Sequence, residues 1–323
     1  MSKSNAVYRL AAMALLLISV NAWAQQGYPA RPIHLIVPNA AGGPSDVMAR
    51  VFGQKLSENL KQPVIVENKV GAAGNVGSDY VAKAPPDGYA LLLTTSGPIT
   101  INPNLYKMPY DPIKDLAPIS ILANTYLLLL VDPKLGVNSV SDLVQLAKRQ
   151  PGKLNYASTG VGNNQHLAFE MLKAQAGINI VHVPFRALTQ ILPAVVSGDV
   201  SMMLDTTSGI AHARSGRLKA LAVTGKRRSA FAAEVPTMAE SGFPDYDVTL
   251  WFGLFAPGGT RPELISMLNA ESRKVIFSPE LKPALDAAGV EPVGSTEPEF
   301  AAQLARETVS WAQLVKSLGI KPQ

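Results

Sequence analysis

Short apolar runs alternate with segments of helical periodicity along the chain. Seven runs predict short buried strands, at residues 33–37, 64–66, 90–94, 127–131, 180–183, 200–204 and 218–223. Helical spacing between them predicts helices at residues 45–60, 141–149, 164–176 and 187–197. Since strands that alternate with helices form sheets covered by those helices, the pattern predicts an α/β fold with mainly parallel sheets.

In two places an apolar run stops at small, loop-forming residues that open a helix. The first reads IHLIVPNAAGGPSDVMARVFGQKL (33–56), and the second reads LNYASTGVGNNQHLAFEMLKAQAG (154–177). The first turn of a helix has unpaired N–H groups and lies at the positive end of the helix dipole, so it attracts anions. We therefore expect a ligand with negative charge at one or both ends.

The N-terminus predicts export. Lys3 and Arg9 precede an apolar run at residues 10–20, and Ala22-Trp23-Ala24 matches the small-residue pattern of a signal-peptidase site. A membrane anchor is the alternative, but the run is about half of the roughly 20 residues that span a bilayer. We therefore expect a signal peptide at residues 1–24, cleaved after Ala24, and a periplasmic location. The chain has no cysteine, which excludes disulfides and lipid attachment through cysteine.

Size and charge narrow the class of protein. Removal of the first 24 of the 323 residues leaves 299, which favours two lobes over one domain. The candidate crossings between lobes are residues 119–131 and the region after 223. Only residues 226–228 form a basic cluster, so nucleic-acid binding is not expected. The net charge of +5 falls to +3 when Lys3 and Arg9 leave, an excess that modestly favours small anions.

Seven stretches in order along the chain form a further pattern: VPNAAGGPSDVMAR (37–50), VIVENKVGAAGNVGSDYVAKAPPDGY (64–89), STGVGNNQHLAFEML (158–172), HVPFRA (182–187), GRLKALAVTGKRR (216–228), VPTMAESG (235–242) and WFGLFAPGGT (251–260). Together they resemble the Bug family of solute-binding proteins of tripartite tricarboxylate transporters. The resemblance implies a two-lobed periplasmic binding protein fold (Venus flytrap, type II-like), each lobe a mainly parallel sheet flanked by helices. It implies lobes built from residues 25–122, 123–227 and 228–323, with the first and last parts in one lobe.

The resemblance also implies a function. Such a protein captures a carboxylate, most simply an aliphatic or aromatic dicarboxylate, between its lobes. It delivers the solute to a permease that has a large and a small membrane subunit. We expect no enzymatic activity, no cofactor, no metal and a monomer.

The first turn supplies one group of candidate ligand-binding residues. These are Asn39, Gly42, Gly43, Pro44, Ser45 and Asp46. The glycines allow close backbone approach, Pro44 suits a first helical turn and Ser45 offers a hydroxyl. Asp46 would repel an anion unless it caps the helix, pairs with Arg50 at i,i+4, or contacts an amine or hydroxyl of the ligand. The resemblance implies that ordered waters help to hold the carboxylate here.

The second turn supplies Thr159, Gly160, Gly162 and Asn163. Thr159 and Asn163 carry side-chain donors, and the glycines expose the backbone. His166 follows about one helical turn later. It is either a ligand contact or a packed histidine.

Four further residues are candidates. Ser96 and Asp205 follow predicted strands, and the carboxyl ends of such strands face the crevice of an open α/β sheet. Asp205 could equally cap a helix. In the stretch HVPFRA, Phe185 and Arg186 replace the tyrosine and lysine that are more usual in the family. Phe185 is a cleft wall or a core residue, and Arg186 is a carboxylate ligand or a solvated residue.

The sequence leaves two alternative classes of function. An exported hydrolase would need Ser96 or Ser158 near His166 or His182, with an acid behind the histidine. There is no G-x-S-x-G elbow, because Tyr156 stands where Ser158 would need a glycine, and no H-E-x-x-H, Walker A or complete dinucleotide fingerprint. A periplasmic sensor partner that uses the same closed state is the second alternative, and the residues do not separate it from transport.

Overall fold

The computed structural model describes residues 27–185, 188–206 and 209–320. The expected signal peptide, with its cleavage after Ala24, and the candidate Arg186 therefore lie outside the described residues. Within those ranges, no helix is both long and apolar enough to cross a membrane.

The described residues form ten strands and nine α-helices. The strands are β1 Ile33–Val37, β2 Val64–Asn68, β3 Ala90–Thr95, β4 Leu116–Val131, β5 Asn155–Ser158, β6 Val181–Pro184, β7 Met202–Thr206, β8 Lys219–Val223, β9 Thr249–Pro257 and β10 Glu291–Pro292. The helices are α1 Pro44–Leu60, α2 Asn75–Ala82, α3 Val140–Arg149, α4 Asn164–Ala176, α5 Leu188–Ser197, α6 Ile210–Arg214, α7 Pro262–Ile276, α8 Lys282–Ala288 and α9 Glu297–Ser317. A π-helix, Gly97–Ile101, follows β3.

The strands make one sheet in the order β2-β1-β3-β9-β4-β7-β5-β6, and β8 and β10 also pair with β4. Strand β1 is parallel to β2 and β3, and β5 is parallel to β6 and β7. Every pair that includes β4 or β9 is antiparallel. The sheet is therefore mixed, and the expectation of mainly parallel sheets holds only for its outer strands. The reason is that the chain passes from one half of the sheet to the other along β4 and comes back along β9. These two strands therefore run in opposite directions.

Strand β4 belongs to both halves of this sheet. Its residues 116–126 pair with β9, and its residues 127–131 pair with β7 and β8. We call β1, β2, β3, β9, β10 and the first part of β4 the first lobe, and β5 to β8 with the last part of β4 the second lobe. The pairing partner of β4 thus changes between residues 126 and 127, and a crossing between lobes in this stretch stays a prediction.

Each lobe buries apolar side chains on both faces of its strands. In the first lobe, Phe52 and Leu268 pack with Leu254 on one face, and Trp251 packs with Phe300 on the other. In the second lobe one face is covered around Tyr156 and Phe169, and the other around Ile191 and Val195. Helices thus cover both faces, as the alternation of apolar runs predicts.

Two segments pack across the expected division of the chain. Residues 228–248 were expected in the first lobe, yet Val235 and Tyr246 are buried in the second-lobe cores. Helix α9 contacts both lobes, since Phe300 packs in the first-lobe core and Trp311 in the second-lobe core. Both assignments depend on which apolar surface each segment covers, and the local sequence does not specify that.

Candidate functional site

The first turn connects β1 to α1. Helix α1 begins at Pro44, with Gly43 as its N-cap residue and no side-chain cap. Gly42 has a left-handed φ of 79°, whereas Gly43 is extended at −76°. Only Gly42 therefore uses the conformational freedom of glycine; at Gly43 a side chain would meet the carbonyl oxygen of Ala40, 3.2 Å from an added Cβ.

The Asp46 carboxylate accepts the hydrogen bonds that hold the first turn together. Its side chain is only 3% exposed. Oδ2 accepts hydrogen bonds from the Gly42 amide and from Arg50 Nε, both at 2.9 Å, and Oδ1 accepts from Asn68 Nδ2 at 2.9 Å. The Arg50 hydrogen bond is the main cause that lowers the pKa of Asp46 to about 2. Of the roles that the sequence allows for Asp46, the structure shows the ion pair with Arg50. A contact between Asp46 and a ligand stays a prediction.

Asn68 ties β2 to the same turn. Besides Asp46, its Nδ2 donates to the backbone oxygen of Asn39 at 3.0 Å. The candidates Asn39, Gly42 and Asp46 are thus held in one hydrogen-bonded unit with Asn68. Because the Gly42 amide already has a partner, binding of a carboxylate by this amide would require an exchange of partners.

The second turn is closed in a similar way. Asn163 caps α4, since its Oδ1 accepts from the His166 backbone N–H at 2.8 Å, and its Nδ2 donates to Thr159 Oγ1 at 2.6 Å. The Gly160 amide donates to Ser158 Oγ at 3.2 Å, and the Gly162 amide to His166 Nδ1 at 3.1 Å. The fold brings these candidates together, and their donors are mostly engaged with each other.

The segment after β3 packs against the second turn and lies close to the end of β1. Ser96 is buried, and an added Cβ on the next residue, Gly97, would have Asn164 Oδ1 of the second turn 4.0 Å away. An added Cβ on Gly162 would lie 2.5 Å from Cδ1 of Leu105, the residue that ends this segment. Pro98 lies against Gly74, which in turn approaches Pro38 at the end of β1. Close contacts therefore connect the segment after β3 with the second turn and with Pro38, the residue that leads into the first turn.

Asp205 ends β7 with a largely buried carboxyl group. Its Oδ1 accepts from the Thr206 amide at 2.8 Å, and burial is the main cause that raises the pKa of Asp205. A Cβ on Gly209 would lie 2.8 Å from its Oδ2, so a side chain there would collide with the carboxylate. The Asp205 carboxylate thus lies close to the backbone at Thr206 and Gly209. A contact between Asp205 and a ligand stays a prediction.

Phe185 follows β6 and is half-buried. Its amide donates to the backbone oxygen of Ser158 at 2.9 Å, and its ring packs against the second-lobe core. Phe185 thus packs at the edge of this core, in agreement with one of its two predicted roles. A second role as a cleft wall stays a prediction.

A polar cluster under the second turn was not recognised in the sequence as a unit. The rings of His166 and His182 lie 4.4 Å apart, and His182 stacks on Tyr156 at 5.0 Å. The Tyr156 hydroxyl donates to Glu170 Oε1 at 2.5 Å, and Lys173 lies 2.6 Å from the same oxygen. A usable signal exists, because His166, Glu170 and Lys173 at i, i+4 and i+7 share one face of α4.

His182 is kept neutral by its surroundings. Burial, and then the nearby His166, lower the pKa of His182 to about 4. Its Nε2 lies 2.7 Å from Ser158 Oγ. This is the serine–histidine proximity that a hydrolase would need, but Ser158 is fully buried and its hydroxyl donates to the Gly160 carbonyl. Among the described residues, Glu170 is bonded to Tyr156 and Lys173 and not to His182, so the pair lacks an accessible nucleophile and an orienting acid.

Two cavities are lined by residues other than the candidates, although Asn68, the partner of Asp46, borders the first of them. An open groove of about 880 Å³ runs between β2 and α2, beside Lys69 and Tyr80. A second cavity of about 590 Å³ lies where β4, β9 and α9 meet, beside Tyr126 and Arg306. Neither is lined by the candidate residues of the turns, so cavity size alone does not identify the site.

Comparison with known proteins decides the family. The model of the tripartite tricarboxylate transporter family receptor matches residues 48–320. The chain belongs to this family. Protein BugT of Bordetella pertussis is 37% identical over 300 residues, which cover 91% of each chain.

Two similar solved structures contain a carboxylate ligand. Rpa4515 of R. palustris with adipate has a TM-score of 0.77 and 32% identity, and covers 92% of this chain and 100% of its own. MatC (Rpa3494) of Rhodopseudomonas palustris with bound malate has a TM-score of 0.73 and 29% identity, and covers 89% and 100%. The receptor family consists of periplasmic solute-binding proteins with this two-lobed α/β fold.

Proposed function

We propose that this receptor-family protein captures a dicarboxylate between its two lobes, with the first turn and the second turn on either side of the solute. One observation supports the proposal: the segment after β3 packs against Gly162 in the second turn and, through Gly74, approaches Pro38, which leads into the first turn. Helices of 17 and 13 residues follow these two turns, and their N-termini favour negative charge. The adipate and malate of the two relatives make aliphatic dicarboxylates the first probes.

Binding of a carboxylate has to be compatible with the internal hydrogen bonds of the turns. Asp46 and His166 each accept a hydrogen bond from a glycine amide. We infer that these side chains shape the turns, while the carboxylate is held by remaining donors such as Ser45, Thr159 and Asn163, directly or through water. A negative Asp46 is tolerated because Arg50 neutralises it.

The two lobes supply the closing motion. We propose that the second lobe extends from the middle of β4 to residue 248, and that the chain returns to the first lobe at the start of β9. The burial of Val235, Tyr246 and Val248 in second-lobe cores supports this division. Rotation about β4 and β9 would close the two turns on the solute.

Membership of the receptor family supports a role in delivering the solute to a permease. We propose that the chain is exported, is cleaved after Ala24, acts as a monomer in the periplasm, and passes its solute to a permease with a large and a small membrane subunit. No catalytic step is part of this role.

Calorimetry on the mature protein tests the proposal with adipate, malate and a benzene dicarboxylate, each beside its diamide. A ligand at 100 times its Kd should raise the free energy of unfolding by about 2.7 kcal/mol, which also makes thermal shift usable as a screen. Loss of charge-assisted hydrogen bonds should weaken a diamide by about 2 kcal/mol or more. Equal binding of acid and amide, or binding of neutral solutes alone, would contradict the proposal.

A matched pair of variants locates the site. Asn163→Asp keeps an N-cap acceptor but adds a negative charge at the start of α4. Ser139 caps α3 through the Asp142 amide, so Ser139→Asp adds the same charge to a helix start far from the turns. We expect dicarboxylate affinity to fall at least tenfold, or about 1.4 kcal/mol, in Asn163→Asp and to remain unchanged in Ser139→Asp.

A further inference from the structure

The contact between Gly162 and His166 requires one protonation state. The Gly162 N–H donates to His166 Nδ1 at 3.1 Å, and His166 is only 7% exposed. A neutral imidazole with its proton on Nε2 can accept at Nδ1, whereas an imidazolium donates at both nitrogens and cannot. The geometry of the second turn therefore includes a neutral His166.

We propose that His166 is a positioning residue of the solute site: its neutral imidazole holds the Gly162 amide and thereby fixes the second turn, and protonation of His166 releases that amide and weakens carboxylate binding. This inference concerns the regulation of the proposed site and rests on the proposed function. It assigns His166 a role through the turn and not through contact with the solute.

The bonds around Gly162 explain why one proton would affect the whole turn. Asn163, the next residue, caps α4 through the backbone N–H of His166 and bonds Thr159 through its amide. An added Cβ on Gly162 would lie 2.5 Å from Leu105, so this backbone is packed against the segment after β3. Loss of the imidazole acceptor would leave the Gly162 N–H without its partner at a tightly packed position, which the turn can relieve only by moving.

The groups that face His166 come from three elements. On α4 itself, Glu170 favours the imidazolium and Lys173 disfavours it. From β6, the His182 ring lies 4.4 Å away, and from β5 the Tyr156 ring lies 6.3 Å away. Because Glu170 is bonded to Tyr156 and Lys173, its charge is partly offset, and burial lowers the pKa of His166. The cluster as a whole therefore maintains the neutral form at neutral pH.

The sign of the pH dependence separates this role from a direct contact. A solute carboxylate that touched His166 would stabilise the imidazolium, so affinity would rise on acidification. A positioning role predicts the opposite, because the bound protein requires the unprotonated ring. If only the neutral form binds, linkage gives a loss of about twofold at the pH where half of the free protein is protonated at His166.

Calorimetry with adipate at pH 7.5, and at the pH where NMR of the protein without solute shows His166 to be half protonated, measures this sign. His166→Asn places an amide oxygen, which accepts but does not titrate, near the position of Nδ1; His34→Asn, on the half-exposed β1 histidine, is the matched control. We expect wild type and His34→Asn to lose about twofold more affinity at the lower pH than His166→Asn. The titration of adipate itself is common to all three proteins and cancels. Equal losses in all three, or a gain at the lower pH in wild type, would overturn the inference.

A second measurement does not need a solute. Nitrogen NMR of the ligand-free mature protein should show His166 with its proton on Nε2 at pH 7.5, and the Gly162 amide resonance should shift with the titration of His166. If the Gly162 amide resonance does not shift as His166 titrates, the positioning role is refuted even if adipate binds. Failure of every dicarboxylate to bind would refute the proposed function, and the NMR result would still decide the role of His166.

Discussion

The indole of Trp251 on β9 donates to the carboxylate of Glu307 on α9, with Nε1 2.9 Å from Oε2 and 3.1 Å from Oε1. Gln303 Nε2 donates to Oε1 at 2.7 Å, and Thr100 of the π-helix lies 3.5 Å from Oε2. Glu307 thus connects the strand that returns between the lobes, the helix that contacts both cores, and the segment that borders the candidate site.

The first prediction concerns the pH dependence that Glu307 brings to stability. Burial is the main cause that raises the pKa of Glu307 above its ordinary value. A raised pKa means that the native state holds its proton more firmly than the unfolded chain, so this stability is present below the ordinary pKa and is lost as pH rises through the raised value.

Glu307→Gln should remove that dependence. In urea unfolding between pH 4 and pH 8, we expect the wild type to lose stability relative to the variant as pH rises, by about 1.4 kcal/mol for each unit of pKa difference. Glu263→Gln, at an exposed position of α7, serves as the control. A constant difference between wild type and Glu307→Gln across this range would contradict the prediction.

The second prediction concerns Asp46. Its lowered pKa of about 2 means that its contribution to stability is present above the ordinary value of 3.8 and is lost as pH falls towards 2. Asp46→Ala leaves the Gly42 amide without its acceptor and removes one of the two acceptors of Asn68 Nδ2, which should cost about 1–3 kcal/mol in chemical unfolding at pH 7.

Dicarboxylate affinity should fall in Asp46→Ala as well, because the turn is no longer held. Asp46→Asn keeps an acceptor and should lose less stability than the alanine variant. If Asp46→Asn bound adipate more tightly than wild type, the charge of Asp46 would be opposing the solute and not shaping the turn.

The third prediction uses two glycines with the same backbone conformation. Gly42 and Gly136 have φ values of 79° and 67°, and a Cβ on either would have nothing within 4 Å. Alanine at either position should therefore cost about 1–2 kcal/mol of stability through backbone strain alone. Only Gly42→Ala should also reduce adipate affinity, since Gly136 lies in a turn before α3. An equal affinity in both variants would place the solute away from the first turn.

The fourth prediction concerns closure. If the lobes rotate about β4 and β9, small-angle scattering of the mature protein should show a smaller radius of gyration at saturating solute than without it. Leu105, which packs against Gly162 from the segment after β3, offers a variant: Leu105→Ala should leave binding measurable while weakening the contact between that segment and the second turn. Confirmed binding with an unchanged radius would remove the closure model.

Much of the architecture was predictable because it depends on local patterns. The predicted boundaries of β1 and α4 agree with the structure, and those of α1 and α3 agree within one residue. The long strand β9 and the bridging helix α9 were not placed from sequence. Nothing in the residues of β9 says that it lies between β3 and β4, because sheet order depends on which strands meet after the chain has folded back.

Within the candidate site, the sequence by itself determined the residue types and the two turns, because glycines, a proline at the first helical position and an N-capping asparagine act through their own backbone. Only the tertiary structure decided which partners the polar groups take. Asn68 reaches Asp46 across the sheet, and His182 reaches Ser158 from the neighbouring strand. Such pairings join residues that are distant in the chain, and they form because a buried donor or acceptor must find a partner among the groups that packing brings near.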